Sequence, residues 1–333
     1  MTYQATSAMN RNDSAIFLSV VVVSYECREM TLRTLETVYA NTELPLEVIC
    51  VDNASKDGSA EAIATQFPQV RLIASTENLG FAGANNLAAG YAVGRRLLLL
   101  NPDTEIPQGA VDRLWEYAER TPKSGIWGGR TLFGDGTLNI SSCWNFMTLW
   151  GLFCRATGLT WAFPNSMLFN PETIGDWKRD TEREVDIVTG CFLLIDHDLW
   201  RRLGGFNPDF FMYGEEADLC YRARALGARP RITPSATIIH HGGQSEASSA
   251  DKLIKVMKGK VTLMNAHWPA AASFVGRWLF LTMAGVRALA TFVLKPKASK
   301  GAGLDGRTDI WLAAFARRDE WIHGWPLRGK QAK

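Results

Sequence analysis

A β-α-β-α-β alternation fills the first 120 residues and constrains the fold more than any other feature of the chain. Leu18 to Ser24 is a nearly continuous β-branched run, the pattern of a strand buried on both faces. A helical pattern follows, with Met30, Leu32, Leu35, Val38 and Tyr39 near one face. Leu46–Val51 reads as the next strand, then a short helix ending at Phe67, a strand at Val70–Ala74 and a helix over Ala82–Val93. Leu97–Leu100 is another strand, and Pro107 suits the first turn of a helix running to Arg120. This order predicts an α/β fold with a doubly wound, mostly parallel sheet flanked by helices. In such sheets ligands sit beyond the carboxyl ends of the strands. Three polar clusters stand there: Ser24-Tyr25-Glu26, Asp52 to Ser59, and Asn101-Pro102-Asp103-Thr104.

Residues 133–184 carry no strong period and read as a long excursion covering that pocket. Val185–Ile195 resumes a strand-like pattern, followed by a short helix near Asp198–Leu203 and a helix over Glu216–Leu226. Ala236–Ile239 is a short strand leading into His240-His241-Gly242-Gly243.

Each polar cluster supports a structural and a chemical reading. Asp, Asn and Ser favour tight turns because their side chains bond nearby N–H groups, so the Asp52 run reads as a capped βα turn. Alternatively, Asp52 accepts the imide N–H of a uracil or thymine. Asp103 reads as a turn residue, or as one carboxylate ligand of Mg²⁺ or Mn²⁺ whose shell is completed by diphosphate oxygens and water. Glu215, Glu216 and Asp218 sit at a helix start, where the positive helix end stabilises carboxylates. Phe210, Phe211, Met212 and Tyr213 precede them, and an aromatic wall raises a carboxyl pKa and makes it a better base. His240 is a structural histidine or a ligand, and imidazole suits Mn²⁺ better than Mg²⁺.

The order of the motifs adds a resemblance. Ser19–Tyr25, Glu47–Ser59, Glu77–Asn86, Asn101–Thr104, Thr189–Cys191, Gly205-Phe206, Phe211–Asp218 and His240–Gly243 together resemble the family 2 glycosyltransferases of the GT-A fold. The match is nearest to the rhamnosyltransferase-like branch that builds bacterial cell-surface polysaccharides, and it spans residues 17–245. It implies a Rossmann-like catalytic domain at 17–250, with a nucleotide-sugar half (17–120) and an acceptor half (121–250). It implies that Val23, Ser24, Tyr25, Asp52, Asn78, Gly80, Asn85 and Asn101 bind a dTDP- or UDP-sugar. The family's metal-binding Asp-x-Asp aligns with Asn101-Pro102-Asp103, so only its last acid is present. Asp103 and His240 are then the implied ligands of Mg²⁺ or Mn²⁺, with His241 competing for the second place. Glu216 aligns with the catalytic base, and Glu215, Asp218 and Tyr213 would orient the acceptor or the helix.

The implied reaction is an inverting transfer, with dTDP-L-rhamnose as donor, to a hydroxyl of a glycan or polyprenyl-diphosphate-linked acceptor. A UDP-hexose or galactofuranose-type transferase and an inactive nucleotide-sugar-binding scaffold are the alternatives. The joint presence of Asp103, Glu216 and His240 argues against the scaffold.

Charge is divided unevenly along the chain. Residues 251–333 carry 15 Lys+Arg and 5 Asp+Glu, whereas residues 1–250 carry 21 and 29, so the formal net charge of +2 averages two unlike parts. Lys252, Lys255, Lys258 and Lys260 form a cationic helix face. Downstream, Trp278, Leu279, Phe280, Leu281, Met283, Val286, Leu289, Phe292 and Val293 are interrupted by Arg277, Arg287 and Lys295. These features predict a basic amphipathic helical tail lying on an anionic membrane surface, or an extra helical layer on the catalytic domain. The basic residues are interleaved with a broad apolar face, so nucleic acid is not an expected partner.

No stretch of about 18 uncharged apolar residues occurs, so no membrane-spanning helix is expected. The six cysteines include no C-x-x-C pair, which fits a reduced environment. No secretory signal is visible in the polar stretch Met1–Asp13, and residues 1–16 are expected to be loosely ordered. The expected location is cytoplasmic, peripheral to the inner face of the bacterial membrane; a homo-oligomer is left open.

Overall fold

The computed structural model describes residues 16–175, 177–242, 249–293 and 305–326. The N-terminal stretch expected to be loosely ordered, up to residue 15, lies outside them, as do Gly243 and Lys295. The first half alternates β1 (Leu18–Ser24), α1 (Arg28–Asn41), β2 (Leu46–Asp52), α2 (Ser59–Gln66), β3 (Arg71–Ala74), α3 (Gly80–Ala89) and β4 (Arg96–Leu100). A two-residue β5 (Thr104–Glu105) precedes α4 (Ala110–Arg120). Then come β6 (Ile126–Leu132), β7 (Leu138–Asn139), β8 (Cys143–Trp144), α5 (Leu149–Ala156) and α6 (Leu159–Ala162). The chain returns through β9 (Arg183–Glu184), β10 (Ile187–Val188), β11 (Phe192–Asp196), α7 (His197–Leu203), α8 (Glu215–Ala225) and β12 (Arg231–His240). Helices α9 (Ala250–His267), α10 (Ala270–Val293), α11 (Asp305–Ala316) and α12 (Arg318–Trp321) follow.

The main sheet has the order β3-β2-β1-β4-β11-β6-β12-β5. Strands β1 to β4 pair in parallel, β11 lies antiparallel between β4 and β6, and β6 and β12 are parallel. Val21, Val23, Ile49, Val51, Leu97 and Leu99 face one core, while Val20, Val22, Val48, Cys50, Leu98 and Leu100 face another. Burial on both faces is why these strands read as unbroken apolar runs. Register places Ser24 opposite Asp52 and Val22 opposite Leu100, which gathers the polar strand ends at one edge.

The structure departs from the sequence reading at β6, where no strand is legible. Gly128-Gly129-Arg130 interrupts the apolar pattern, yet Gly129 is what lets the strand pack. A Cβ there would stand 1.9 Å from the Ala236 carbonyl oxygen and 2.7 Å from the Phe192 ring. Strand β12 is also longer than Ala236–Ile239, because a register shift between Thr233 and Thr237 accommodates Pro234, which has no N–H to donate. The Val185–Ile195 pattern is divided into β10 and β11 by the Thr189–Cys191 turn, and α3 starts at Gly80 and ends at Ala89.

The C-terminal helices pack on the rest of the chain. Ile254, Met257, Val261 and Met264 of α9 share a core with Leu152 and Ala156 of α5 and with Phe280, Met283 and Trp321. Gly259 permits the closest approach: a Cβ there would lie 1.9 Å from the Tyr213 carbonyl oxygen. At the end of α9, His267 Nε2 stands 2.8 Å from Asp218 Oδ1. Among the described residues no helix is long and apolar enough to cross a membrane.

Candidate active site

A cavity of about 750 Å³ opens at the carboxyl edge of the sheet. Its first wall comes from the end of β1 and the loops after β2, β3 and β4: Val23, Tyr25, Asn53, Asn78, Asn101 and Asp103. Asn78 Oδ1 accepts from Asn53 Nδ2 at 3.0 Å and from the Gly80 N–H at 2.9 Å, which ties the loops after β2 and β3 together.

Asp103 and His240 meet through strand pairing. His240, at the end of β12, is opposite Thr104 of β5, and its Nε2 lies 3.2 Å from Asp103 Oδ1 and 3.3 Å from Asn101 Nδ2. Its Nδ1 is buried and has no partner. His241 points elsewhere, with Nε2 2.7 Å from Glu105 Oε1. Of the two histidines only His240 lines the cavity.

Glu215 and Glu216 open α8 on the opposite side. Tyr213 has a left-handed backbone (φ 67°), and Gly214 follows at φ 100°, so the chain turns sharply into the helix. Such strain in a non-glycine residue persists only where surrounding structure holds it. Tyr213, Glu215 and Glu216 all line the cavity, and one carboxylate oxygen of each glutamate is buried without a hydrogen bond. Burial lifts both carboxyls above their ordinary value, Glu215 well above it with help from the neighbouring Glu216 charge. N–H groups at the helix start pull Glu216 the other way without cancelling the rise.

Other candidates do not line the cavity. Ser24 is buried against Thr31, Oγ to Oγ1 at 2.9 Å. Asn85 donates to the Phe81 carbonyl one turn back at 2.9 Å. Gly80 sits behind the wall, its carbonyl accepting from Asn53 Nδ2. Asp218 is buried between Arg222, whose Nε donates at 2.7 Å, and His267. Asp52 is buried at the end of β2; Oδ2 accepts from the Ser55 N–H at 3.2 Å, Oδ1 has no partner, and burial raises its pKa.

The excursion over residues 133–184 covers the cavity as expected and, with α9, forms a third wall whose individual residues are not legible in the sequence. Trp144, Asn145, Met147, Arg155 and Glu172 come from the aperiodic excursion, and Lys252, Lys255, Lys260 and Trp268 come from α9 and its end. The regular lysine spacing was visible, but it indicated only that these residues share a helix face, not that the face meets a cavity.

The sequence profile of glycosyl transferase family 2 matches residues 19–200. This chain belongs to that family. An N-acetylglucosaminyl-diphospho-decaprenol L-rhamnosyltransferase of Mycobacterium tuberculosis is 30% identical to this glycosyltransferase over 240 residues, 68% of this chain and 77% of the relative. Rhamnosyltransferase WbbL of Escherichia coli K12 is 23% identical over 252 residues, 71% of this chain and 88% of its own. Among solved structures, the mannosyltransferase PcManGT of Pyrobaculum calidifontis, in complex with GDP-Man and Mn²⁺, aligns with a TM-score of 0.56 at 18% identity. That alignment covers 93% of this chain and 88% of PcManGT. The likeness shows that the glycosyltransferase has the GT-A fold, and in this fold the cavity occupies the strand-end position where ligands bind.

Proposed function

We propose that this glycosyltransferase moves L-rhamnose from dTDP-L-rhamnose to a hydroxyl of a lipid-linked glycan by one inverting displacement, with Glu216 as general base. The observation that carries the reading is one cavity holding both the Asp103–His240 pair and the two incompletely bonded glutamates, Glu215 and Glu216. A raised carboxyl pKa brings the base closer to working pH and strengthens its grip on a proton. Glu216 takes the acceptor proton as the hydroxyl oxygen attacks C1; the bond from C1 to the diphosphate breaks on the opposite face, which inverts the centre. The rhamnosyltransferase activities for which the Mycobacterium and E. coli relatives are named motivate the choice of sugar, and the former's name motivates the lipid-diphosphate acceptor.

The residues at Asp103 fit a divalent cation. One imidazole nitrogen beside one carboxylate oxygen, His240 Nε2 at 3.2 Å from Asp103 Oδ1, is a donor set for Mn²⁺ more than for Mg²⁺. Asp103 and His240 would hold the ion, which when bound offsets the charge on the departing nucleoside diphosphate. No third His, Cys, Asp or Glu joins them among the described residues, and the remaining positions suit diphosphate oxygens and water.

Purified protein, offered dTDP-, UDP- and GDP-sugars with a synthetic lipid-diphosphate glycan, is expected to transfer from dTDP-L-rhamnose and to stop in EDTA. Asp103→Ala should lose more than the roughly 10–100-fold that outer-shell partners of a metal are worth. Consumption of a different donor reassigns the sugar. Full activity of Asp103→Ala in EDTA removes the metal from the reaction.

An anionic membrane surface is the partner we assign to α10. Phe274, Trp278, Val286 and Leu289 are each more than half exposed, while Phe280, Met283 and Ala284 are buried against the neighbouring helices. Exposed apolar and aromatic residues on a helix with interspersed arginines suit the headgroup boundary. The double variant Trp278→Glu with Leu289→Glu should bind phosphatidylglycerol vesicles at least tenfold more weakly in co-sedimentation. Each change removes apolar burial worth about 1.5–3 kcal/mol. Equal binding by this variant rejects α10 as the docking face.

A further inference from the structure

The third wall of the cavity is cationic, and the donor-side chemistry leaves it without a task. Arg155 on α5 and Lys260 on α9 converge on a single carboxylate, Glu172. Arg155 Nη2 lies 3.2 Å from Glu172 Oε2, and Lys260 Nζ contacts Oε1. All three side chains are largely withdrawn from solvent: Arg155 and Lys260 are 24% exposed and Glu172 is 12% exposed. Two cations sharing one carboxylate leave an excess positive charge in a partly desolvated place, and such a charge is costly unless an anion compensates it. Burial accordingly pulls the Lys260 ammonium below its ordinary pKa, while Lys260 and Arg155 together outweigh burial and pull Glu172 down. Lys252 and Lys255 line the same cavity from α9.

Position distinguishes this cluster from the donor side. Gly259, adjacent to Lys260, meets the Tyr213 carbonyl, and Leu263, one turn on, packs against Gly214. Lys260 therefore stands on the stretch of α9 that abuts the turn into Glu215 and Glu216. The Asp103–His240 pair belongs to the sheet edge, on separate elements.

We propose that Arg155 and Lys260, with Lys252 and Lys255, form an anion subsite that holds the diphosphate of the acceptor on the acceptor side of Glu216. This rests on the reading that the acceptor is a lipid-linked diphosphate. Charge-assisted contacts to phosphate oxygens are the strong class of hydrogen bond, and Arg offers a planar fork while Lys acts as a point charge.

The test is binding of farnesyl diphosphate to the full chain with the donor site filled by dTDP and Mn²⁺, followed by calorimetry, with farnesol as the uncharged control. Wild type should bind farnesyl diphosphate well above farnesol. Arg155→Met and Lys260→Met should each weaken it at least tenfold, and Lys260→Arg should restore most of the affinity. Lys255→Met, which leaves the Glu172 bridge intact, should weaken it several-fold and serves if the buried variants do not fold. Wild-type affinity in both Lys255→Met and Lys260→Met overturns the subsite. So does an equal loss of dTDP affinity, which would hand the cations to the donor diphosphate. Absence of farnesyl diphosphate binding by a protein that still turns over a sugar nucleotide sinks the subsite and leaves the transferase reading standing. Binding that depends on Arg155 and Lys260 in a protein inert toward every sugar nucleotide does the reverse.

Discussion

Glu216→Gln is expected to lower kcat by at least about 100-fold, the low end of what a positioned general base contributes, while the donor's Kd is held. Glutamine keeps the shape and the cavity wall but cannot take a proton. The pH profile gives a second readout. Glu216 is raised by burial, so it is protonated below its folded pKa and cannot act as a base there. The wild-type rate should therefore rise with pH through a value above the ordinary carboxylate range, and that limb should vanish in Glu216→Gln. Stability moves oppositely. A carboxyl whose folded pKa is raised stabilises the fold most fully below its unfolded pKa, and the contribution is lost as pH rises through the folded value. Glu216→Gln and Glu215→Gln should each melt higher than wild type at neutral pH. Near-normal turnover by Glu216→Gln would remove it from the catalytic role.

Deleting residues 250–333 should abolish cooperative folding or, at the least, transferase activity on any acceptor. The deletion exposes Leu152 and Ala156, strips Asp218 of His267, and removes the α9 wall of the cavity. Core truncations that remove single large side chains already cost about 2–5 kcal/mol, and here a whole layer is lost. Gly259→Val is the local version. Its side chain meets the Tyr213 carbonyl, and overpacking of this kind costs roughly 1–3 kcal/mol. The displaced Tyr213-Gly214 turn should carry Glu215 and Glu216 out of place, so activity falls at least tenfold in a protein that still melts cooperatively. Full activity of the truncated chain would mean that the helices after residue 249 contribute nothing to the site.

Local chemistry made the sheet-edge wall of the cavity legible. Strands β1, β2 and β4 announce themselves because burial on both faces demands unbroken apolar residues, and polar clusters mark their ends. The missing strand β6 fails that test because it trades side chains for closeness at Gly128 and Gly129, and neither propensity nor periodicity rewards that exchange. The cationic third wall is built from long-range contacts. Nothing in the spacing of Lys252, Lys255 and Lys260 says that Glu172, 88 residues earlier than Lys260, lies opposite. Asp218 and Ser24 read as site residues for a related reason: a polar side chain beside a motif looks functional until its partners, His267 and Thr31, are seen.

The short ladder between β5 and β12 acts like the teeth of a vernier. Only two residue pairs, Ile239 with Glu105 and His240 with Thr104, align the two histidines with the two acids. A slip of one residue would reverse which side chains face the cavity, presenting His241 in place of His240. The intervening segment, residues 106–230, could change its loops without disturbing this alignment, provided the ladder closes in the same notch. On the proposed reading, strand registration decides which histidine stands beside Asp103, and the donor chemistry of that pair decides which ion suits it.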